Sequence, residues 1–377
     1  MGERGTRISF DEFQGARNFA ALDGLRAVSV FLVFTAHMGG IGWNKFSGWL
    51  GVHAFFVLSG FLITTLLLRE RDATGRVSLK AFYIRRTTRL VPLYLLILLV
   101  VLVQSYFAQD ASWAQMMVAT PYYLSLRNEL APYAPLIATW TLSVEWKYYL
   151  VWPTLITVFG LTTRSRLATV GLCMTALVAL SLSRMEPAWL SPQNYIGMMV
   201  GSALAILMHT RRTFGWVQGL MTHRAPLVIL PLLFIVHRRF PLVESYIGHM
   251  GAIALYGLLI GLLLPSLIAV RTFMGRALST KWLVFIGNRS YAMYLVQYIA
   301  AHAVIDVLRG LGVTLVDGQM LLLLSFVVSL AVSDLLYRWF EKPITDWGHR
   351  RAKATKEAAL LAAALPNGRG SPLQTKL

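Results

Sequence analysis

Cysteine is almost missing. A single one, Cys173, stands in 377 residues, so no intramolecular disulfide can form. No CxxC or HExxH spacing offers a structural or catalytic metal site, and none is expected. Charge is scarce too. Charged residues make up 14% of the chain, against about 25% in a typical soluble domain. Acidic residues are the scarcer kind, 17 Asp and Glu against 35 Lys and Arg, for a net charge of +18. With 56% hydrophobic residues, the chain is too apolar for a water-soluble protein. The positive balance does not point to nucleic acid, because the basic residues fall in short runs between long apolar stretches. That is the topology signal of a membrane protein, not a basic stripe on a soluble face. No cleavable leader is expected from the first residues. Residues 1–17 are polar and lack an apolar core closed by small residues, so insertion is expected to begin at the first spanning helix.

What the sequence has in abundance is helix-length apolar segments. About 20 such residues cross a bilayer as a helix. Ten candidates occur, near 20–38, 49–68, 90–107, 138–161, 167–183, 193–208, 225–236, 250–270, 282–307 and 318–338. The stretch Trp113–Leu126 is apolar but interrupted by Pro121, and reads as interfacial or re-entrant. No internal repeat is visible, which weighs against an inverted-repeat transporter. Most Lys and Arg residues fall in the N-terminal segment, in the loops after helices 2, 4, 6 and 8, and in the C-terminal tail. The expected fold is therefore an all-α integral membrane bundle of about ten helices with both termini cytoplasmic. The tail after Glu341 is basic, then Ala-rich, then rich in Pro and Gly. It reads as one short helix followed by disorder, with no chemistry assigned.

Ionisable residues inside spans are costly and point to function. The first helix carries Arg26 and His37 in LDGLRAVSVFLVFTAHMG. Eleven residues apart, they differ by about 20° in azimuth and about 16 Å in height, so they share a face. The alternative is a snorkelling Arg26 and an interfacial His37. The fourth helix contains ATWTLSVEWKYYLVWP. Running from outside to inside, it puts Glu145 at roughly the depth expected for His37, where a carboxylate can support a general base. The competing view is an aromatic belt with Glu145 and Lys147 facing water. Lys147, two residues on, points elsewhere and is not a natural partner of Glu145. The second cytoplasmic loop is the most basic, with Arg85, Arg86 and Arg89 leading into Leu90-Val91-Pro92. Arg85 and Arg89 lie one turn apart and can clamp phosphate; attraction to anionic membrane lipids is the simpler account. Ser59 in FFVLSGFLIT has no acid and base at triad spacing and reads as a small packing residue or a helix-to-helix hydrogen bond rather than a nucleophile.

Several motifs occur in order, and together they resemble the acyltransferase-3 family of membrane O-acyltransferases. LDGLRAVSVFLVFTAH resembles the family's opening motif, an arginine followed by a histidine, here Arg26 and His37. FFVLSGFLIT is similar to the second-helix motif, FYIRRTTRLVPLY to the arginine-rich entry to the third helix, and TWTLSVEWKYYLVWP to the fourth-helix motif. SYAMYLVQ and WFEKP resemble the late motifs. The resemblance covers residues 20–343, flanked by a cytoplasmic segment 1–19 and a tail 344–377. It departs from the family pattern at Trp146, Lys147 and Gln297, while Glu145 is retained. Nothing after residue 343 resembles the hydrolase-like domain that some members carry.

The resemblance implies transfer of an acyl group, commonly acetyl, from cytoplasmic acyl-CoA to a hydroxyl of an extracytoplasmic or lipid-linked glycan. Such an enzyme would sit in the cytoplasmic (inner) membrane among its lipids. Acyl-CoA is then a donor substrate, with no permanently bound cofactor. His37 and Glu145 are the expected catalytic residues; Arg26, Arg85, Arg86 and Arg89 would bind the donor, and Tyr291 and Tyr294 the substrate. The alternative function is a transporter or flippase of a glycan or small anion, with Arg26, His37 and Glu145 lining its path.

Overall fold

Uncharged runs rich in Leu, Ile, Val, Phe and Ala leave the backbone no way to satisfy its polar groups in lipid except as helices. The computed structural model is helical accordingly. It describes residues 7–364 apart from 17, 45, 109–110, 132–133, 184, 186, 188–189, 270 and 314, and among these there is no strand. In chain order the helices are α1 (Phe10–Gly15), α2 (Ala20–Met38), α3 (Gly40–Asn44), α4 (Gly51–Thr74), α5 (Leu79–Ala108) and α6 (Ala111–Leu124). Next come α7 (Trp140–Val158), α8 (Thr163–Ser183), α9 (Gln193–His209), α10 (Arg211–Gln218) and α11 (Arg224–Arg238). The chain ends with α12 (Phe240–Ile268), α13 (Phe273–Leu278), α14 (Lys281–Gly310), α15 (Gly318–Leu336) and α16 (Lys342–Ala364).

Each of the ten expected spans is occupied by a helix. Seven helical stretches are long and apolar enough to cross a membrane: α2, Gly48–Thr74, α5, α8, α12, α14 and Gly318–Ala358. The other three helices differ for physical reasons. The helices α9 and α11 have 17 and 15 residues, and α7 carries Glu145, Lys147 and several aromatic residues among its aliphatic ones. Large side chains exposed along the outer faces, such as Leu99 on α5, Leu182 on α8, Phe234 on α11 and Val327 on α15, need lipid rather than water around them. The chain is a multi-pass membrane protein.

Proline and glycine set the local departures. Pro121 does not break its segment: α6 runs through it for 14 residues, about 21 Å, too short to span the hydrocarbon core. In α12 the helix kinks at Gly248, where φ is +73°, a backbone conformation open mainly to glycine. The straight part thus begins where the apolar run begins. At the other end of the chain a π-turn, Tyr337–Glu341, joins α15 to α16 without a break. The tail helix is therefore longer than expected, 23 residues, and continuous with α15. It packs along α5, with Gly348 so close to Thr88 that any side chain there would collide with it. Residues 365–377, where disorder is expected, lie outside the described residues.

Two close approaches fix the bundle. At Gly60 and Gly201 a Cβ would strike the backbone of Met198 and Val57, so α4 and α9 meet backbone to backbone, the small-residue packing of membrane helices. A polar knot sits beside this contact. The Trp152 Nε1–H donates to Thr64 Oγ1 (2.8 Å), Thr64 donates to Ser202 Oγ (3.1 Å), and Tyr148 OH is 2.8 Å from the same Ser202 oxygen. It ties α7 to α4 and α9. On the opposite side Gly24 and Gly287 let α2 approach the backbone of Leu278 and of Asp23, which seats α14 against α2.

Candidate active site

Along α4 the residues Val52, Phe56, Ser59, Ile63 and Leu66 recur every three or four positions and define one face. That face and Arg69 line a cavity of about 430 Å³. From Val52 to Arg69 the helix rises about 25 Å, so the cavity is long relative to its volume. Its other walls are α2 with Asp23 and Arg26, α5 with Arg85, Arg86 and Arg89, α7 with Glu145 and Tyr149, α14 with Tyr291 and Tyr294, and α16 with His349.

The arginines collect at one end, and their surroundings differ. Arg69 donates to the Phe13 and Ala16 carbonyls, 2.5 and 2.6 Å away, and so caps α1; its role is structural. Arg85 donates to Glu70 (3.1 Å), which also holds Lys356 of α16 (2.8 Å). Arg86 lies over the rings of Phe82 and Tyr149, 5.7 and 5.8 Å from their centres, and its buried Nε has no partner. Arg89 feels both Arg26 and Glu341 electrostatically. Deeper along the cavity Arg26 is held by Asp23 (2.6 Å).

Glu145 is held on both oxygens. Ser59 Oγ donates to one (2.7 Å) and Tyr149 OH to the other (2.9 Å). It acts electrostatically on Arg26 and Arg86, two cations with which it shares the cavity. Tyr294 OH donates to the Ala138 carbonyl (2.5 Å) and accepts from Thr141 (3.1 Å); Tyr291 OH donates to the Leu90 carbonyl (2.6 Å), beside Pro92. These two tyrosines close the α14 wall.

His37 stands apart. It is exposed and does not line the cavity. Its Nδ1 is 2.9 Å from the side-chain oxygen of Gln297, and its ring lies against Tyr298. The Gln297 nitrogen donates to the Tyr294 carbonyl (2.9 Å), which turns the amide oxygen toward the imidazole. An amide oxygen only accepts, so Nδ1 carries the proton and Nε2 keeps its lone pair. That is the tautomer a general base needs at Nε2.

An acyltransferase domain model matches residues 19–338. The chain belongs to the acyltransferase 3 family. It is 28% identical over 375 residues to a Staphylococcus aureus (strain COL) protein provisionally named an O-acetyltransferase, covering 90% of this chain and 59% of that one. It is 26% identical to a Bacillus subtilis (strain 168) protein provisionally named a peptidoglycan O-acetyltransferase, covering 90% of this chain and 57% of that one. The peptidoglycan O-acetyltransferase OatA of Listeria monocytogenes is also 26% identical, over 87% of this chain and 56% of its own length. The chain thus spans under three fifths of the length of these relatives. No solved structure is similar to it.

Set on the family's motifs, the geometry alters two readings of the sequence. Glu145 does not sit beside His37. It lies with Arg26, and the eleven-residue rise from Arg26 to His37, about 16 Å, separates the two proposed catalytic groups. The reason is helix register. Gly48 and Gly51 press on the carbonyls of Leu32 and Ser29, while Phe61 meets Phe19, so α4 runs antiparallel to α2 and brings Ser59 to the Arg26 end. Ser59 makes a helix-to-helix hydrogen bond, one of its two readings, with Glu145 of α7 as the acceptor. And the tail takes part, because His349 of α16 lines the cavity. Lys147 pairs with Glu129, away from Glu145, as its spacing implies. Sequence reasoning passed over Gln297 as a partner for His37, and over Glu341, buried in the π-turn with one oxygen unpartnered. The available signal was a polar residue inside each of the two late motifs.

Proposed function

We propose that this chain is a membrane O-acyltransferase that takes an acyl group, acetyl by analogy with the named relatives, from acyl-CoA and passes it to a hydroxyl of an extracytoplasmic or lipid-linked glycan. The reading places it in the cytoplasmic membrane with the basic ends of the helices inside. The observation that carries it is the long cavity with three arginines of α5 at one end and a carboxylate–hydroxyl cluster farther in, within a chain of the acyltransferase 3 family. Arg85, Arg86 and Arg89 would grip the coenzyme's phosphates, since guanidinium forks match phosphate oxygens. Arg85 contributes less, being shared with Glu70. The acyl-bearing arm then extends along α4, past Ser59 and Glu145, toward Tyr294.

In this scheme the acceptor enters near His37. The Nε2 lone pair takes the acceptor's proton as its oxygen attacks the thioester carbonyl, and the coenzyme leaves as a thiol. Glu145 works at a distance from that step. It balances Arg26 and Arg86 and orients Ser59 toward the arm, so that the cavity does not accumulate uncompensated positive charge before the donor arrives. Tyr291 and Tyr294 form the wall that the acyl group passes.

The protein reconstituted in nanodiscs tests this reading with radiolabelled acetyl-CoA and a glycan carrying free hydroxyls. Acetylated glycan and released coenzyme A in equal amounts are expected. Absence of coenzyme release, together with glycan or anion movement across sealed vesicles, would replace the enzyme by a transporter.

A further inference from the structure

A second concave site lies outside the cavity just described. A groove of about 650 Å³ runs between the first turns of α5 and the middle of α16, lined by Lys80, Tyr83, Thr87, Trp347, Arg351 and Thr355 among others. We infer that this groove binds the phosphate headgroup of an anionic phospholipid and ties α16 to α5.

Depth is the first argument. The apolar run of α5 begins at Leu90, so Tyr83 to Thr87 lie about 5–10 Å outside it along the helix. That is the headgroup layer, which adds several ångströms to each side of a hydrocarbon core about 30 Å thick. Tyr83 and the half-exposed Trp347 are the amphipathic rings that favour this level.

Charge is the second. Other basic residues of α5 and α16 have carboxylate partners: Arg85 and Lys356 share Glu70, Lys342 pairs with Asp346 and Lys353 with Glu357. Lys80 and Arg351 have no carboxylate partner among the described residues. Arg351 is also held over the Trp347 ring, 5.6 Å from its centre, which reduces the conformational freedom lost on binding an anion.

The third argument is the path for the tails. Ile84 and Thr88 line the groove, and Leu95 and Leu99, both exposed, fall within about 60° of Ile84 around the helix. A headgroup in the groove thus has its acyl chains directly above it, on a lipid-facing stripe. Soluble coenzyme has no use for that stripe. The bound lipid would also brace the cavity, because Gly348 abuts Thr88 and His349 is the next residue.

The test is native mass spectrometry of the protein released from nanodiscs of phosphatidylcholine with or without phosphatidylglycerol. Preferential retention of phosphatidylglycerol is expected. The double variant Lys80→Gln/Arg351→Gln should lose it by roughly thirtyfold, in line with two basic side chains at the surface. The exchange Lys80→Arg/Arg351→Lys should keep it, and so should Arg350→Gln/Lys353→Gln, which removes equal charge outside the groove. Equal loss in the two neutralising variants would reduce the site to general surface potential and overturn the inference. So would equal retention of both lipids, or a variant that keeps phosphatidylglycerol but loses acyl-CoA affinity, which would assign the groove to coenzyme phosphate. The lipid readout stands whether or not the protein turns over acyl-CoA.

Discussion

Gln297→Leu isolates the tautomer of His37. The substitution removes the acceptor 2.9 Å from Nδ1; Gln297 does not itself line the donor cavity, and its link to that wall is a hydrogen bond to the Tyr294 backbone carbonyl. A hydrogen bond of this kind contributes about 0.5–1.5 kcal/mol net, and 1.4 kcal/mol is a factor of ten. The fraction of imidazole with Nε2 free should fall accordingly, and kcat with it, by roughly three- to tenfold. His37→Ala, which removes the base itself, should cost about 10²–10⁴-fold. Acyl-CoA KM should stay unchanged for Gln297→Leu. The decisive assay is the double-mutant cycle, with acetyl transfer measured in nanodiscs. Because Gln297 acts only through the ring, adding Gln297→Leu to His37→Ala should change nothing further. Multiplicative losses in the double variant, or a raised KM, would refute the reasoning and make Gln297 a contact for substrate or a packing residue.

Three further outcomes follow from the same geometry. Glu145→Gln keeps the shape that Ser59 and Tyr149 grip but removes the negative charge that acts on Arg86 and leaves Arg26 to Asp23, so turnover should drop about tenfold or more with helicity by circular dichroism unchanged. Arg86→Lys/Arg89→Lys should weaken acyl-CoA binding by roughly tenfold at fixed salt, while Arg85→Lys has a smaller effect because Glu70 already holds Arg85; calorimetric titration with a non-hydrolysable analogue reads both. Gly201→Val drives a side chain into the Val57 backbone and should lower the melting temperature in detergent clearly, at a cost of about 1–3 kcal/mol or more.

The helices were legible because lipid allows few alternatives. Apolar runs near 20 residues, punctuated by basic loops, are enough to locate all ten expected spans. What hydropathy misses is local. The aromatic and charged α7 is less apolar than its neighbours yet packs inside the bundle, through Tyr148 and Trp152 hydrogen bonds that no hydropathy window records. Pro121 reads as a break, yet α6 continues through it. The tail reads as one short helix with no chemistry, because its basic and Ala-rich composition carries no packing signal. One glycine opposite Thr88 and one ion pair to Glu70 dock it along α5.

The site was legible as a set of residues but not as an arrangement, and the reason is specific. Position along one helix converts directly to height, so the Arg26-to-His37 stripe follows from spacing alone. Relative height between helices depends on register, and register is set by close contacts between residues far apart in sequence. Here those are Gly48 and Gly51 on the α2 carbonyls and Gly287 on Asp23. They lower Ser59 and Glu145 to the level of Arg26 and leave His37 to Gln297. The result separates two electrostatic tasks. At the basic end a carboxylate moderates clustered guanidinium groups that would otherwise repel one another in a low-dielectric cavity. At the His37 end the imidazole's hydrogen-bond partner, Gln297, is a neutral amide, so Nε2 stays available without a carboxylate on its other nitrogen. A carboxylate fixed beside His37 would stabilise the imidazolium, so that fewer rings at rest would offer the free Nε2 that the proposed proton transfer requires. On this argument, the distance between Glu145 and His37 serves the reaction better than the contact expected from the sequence.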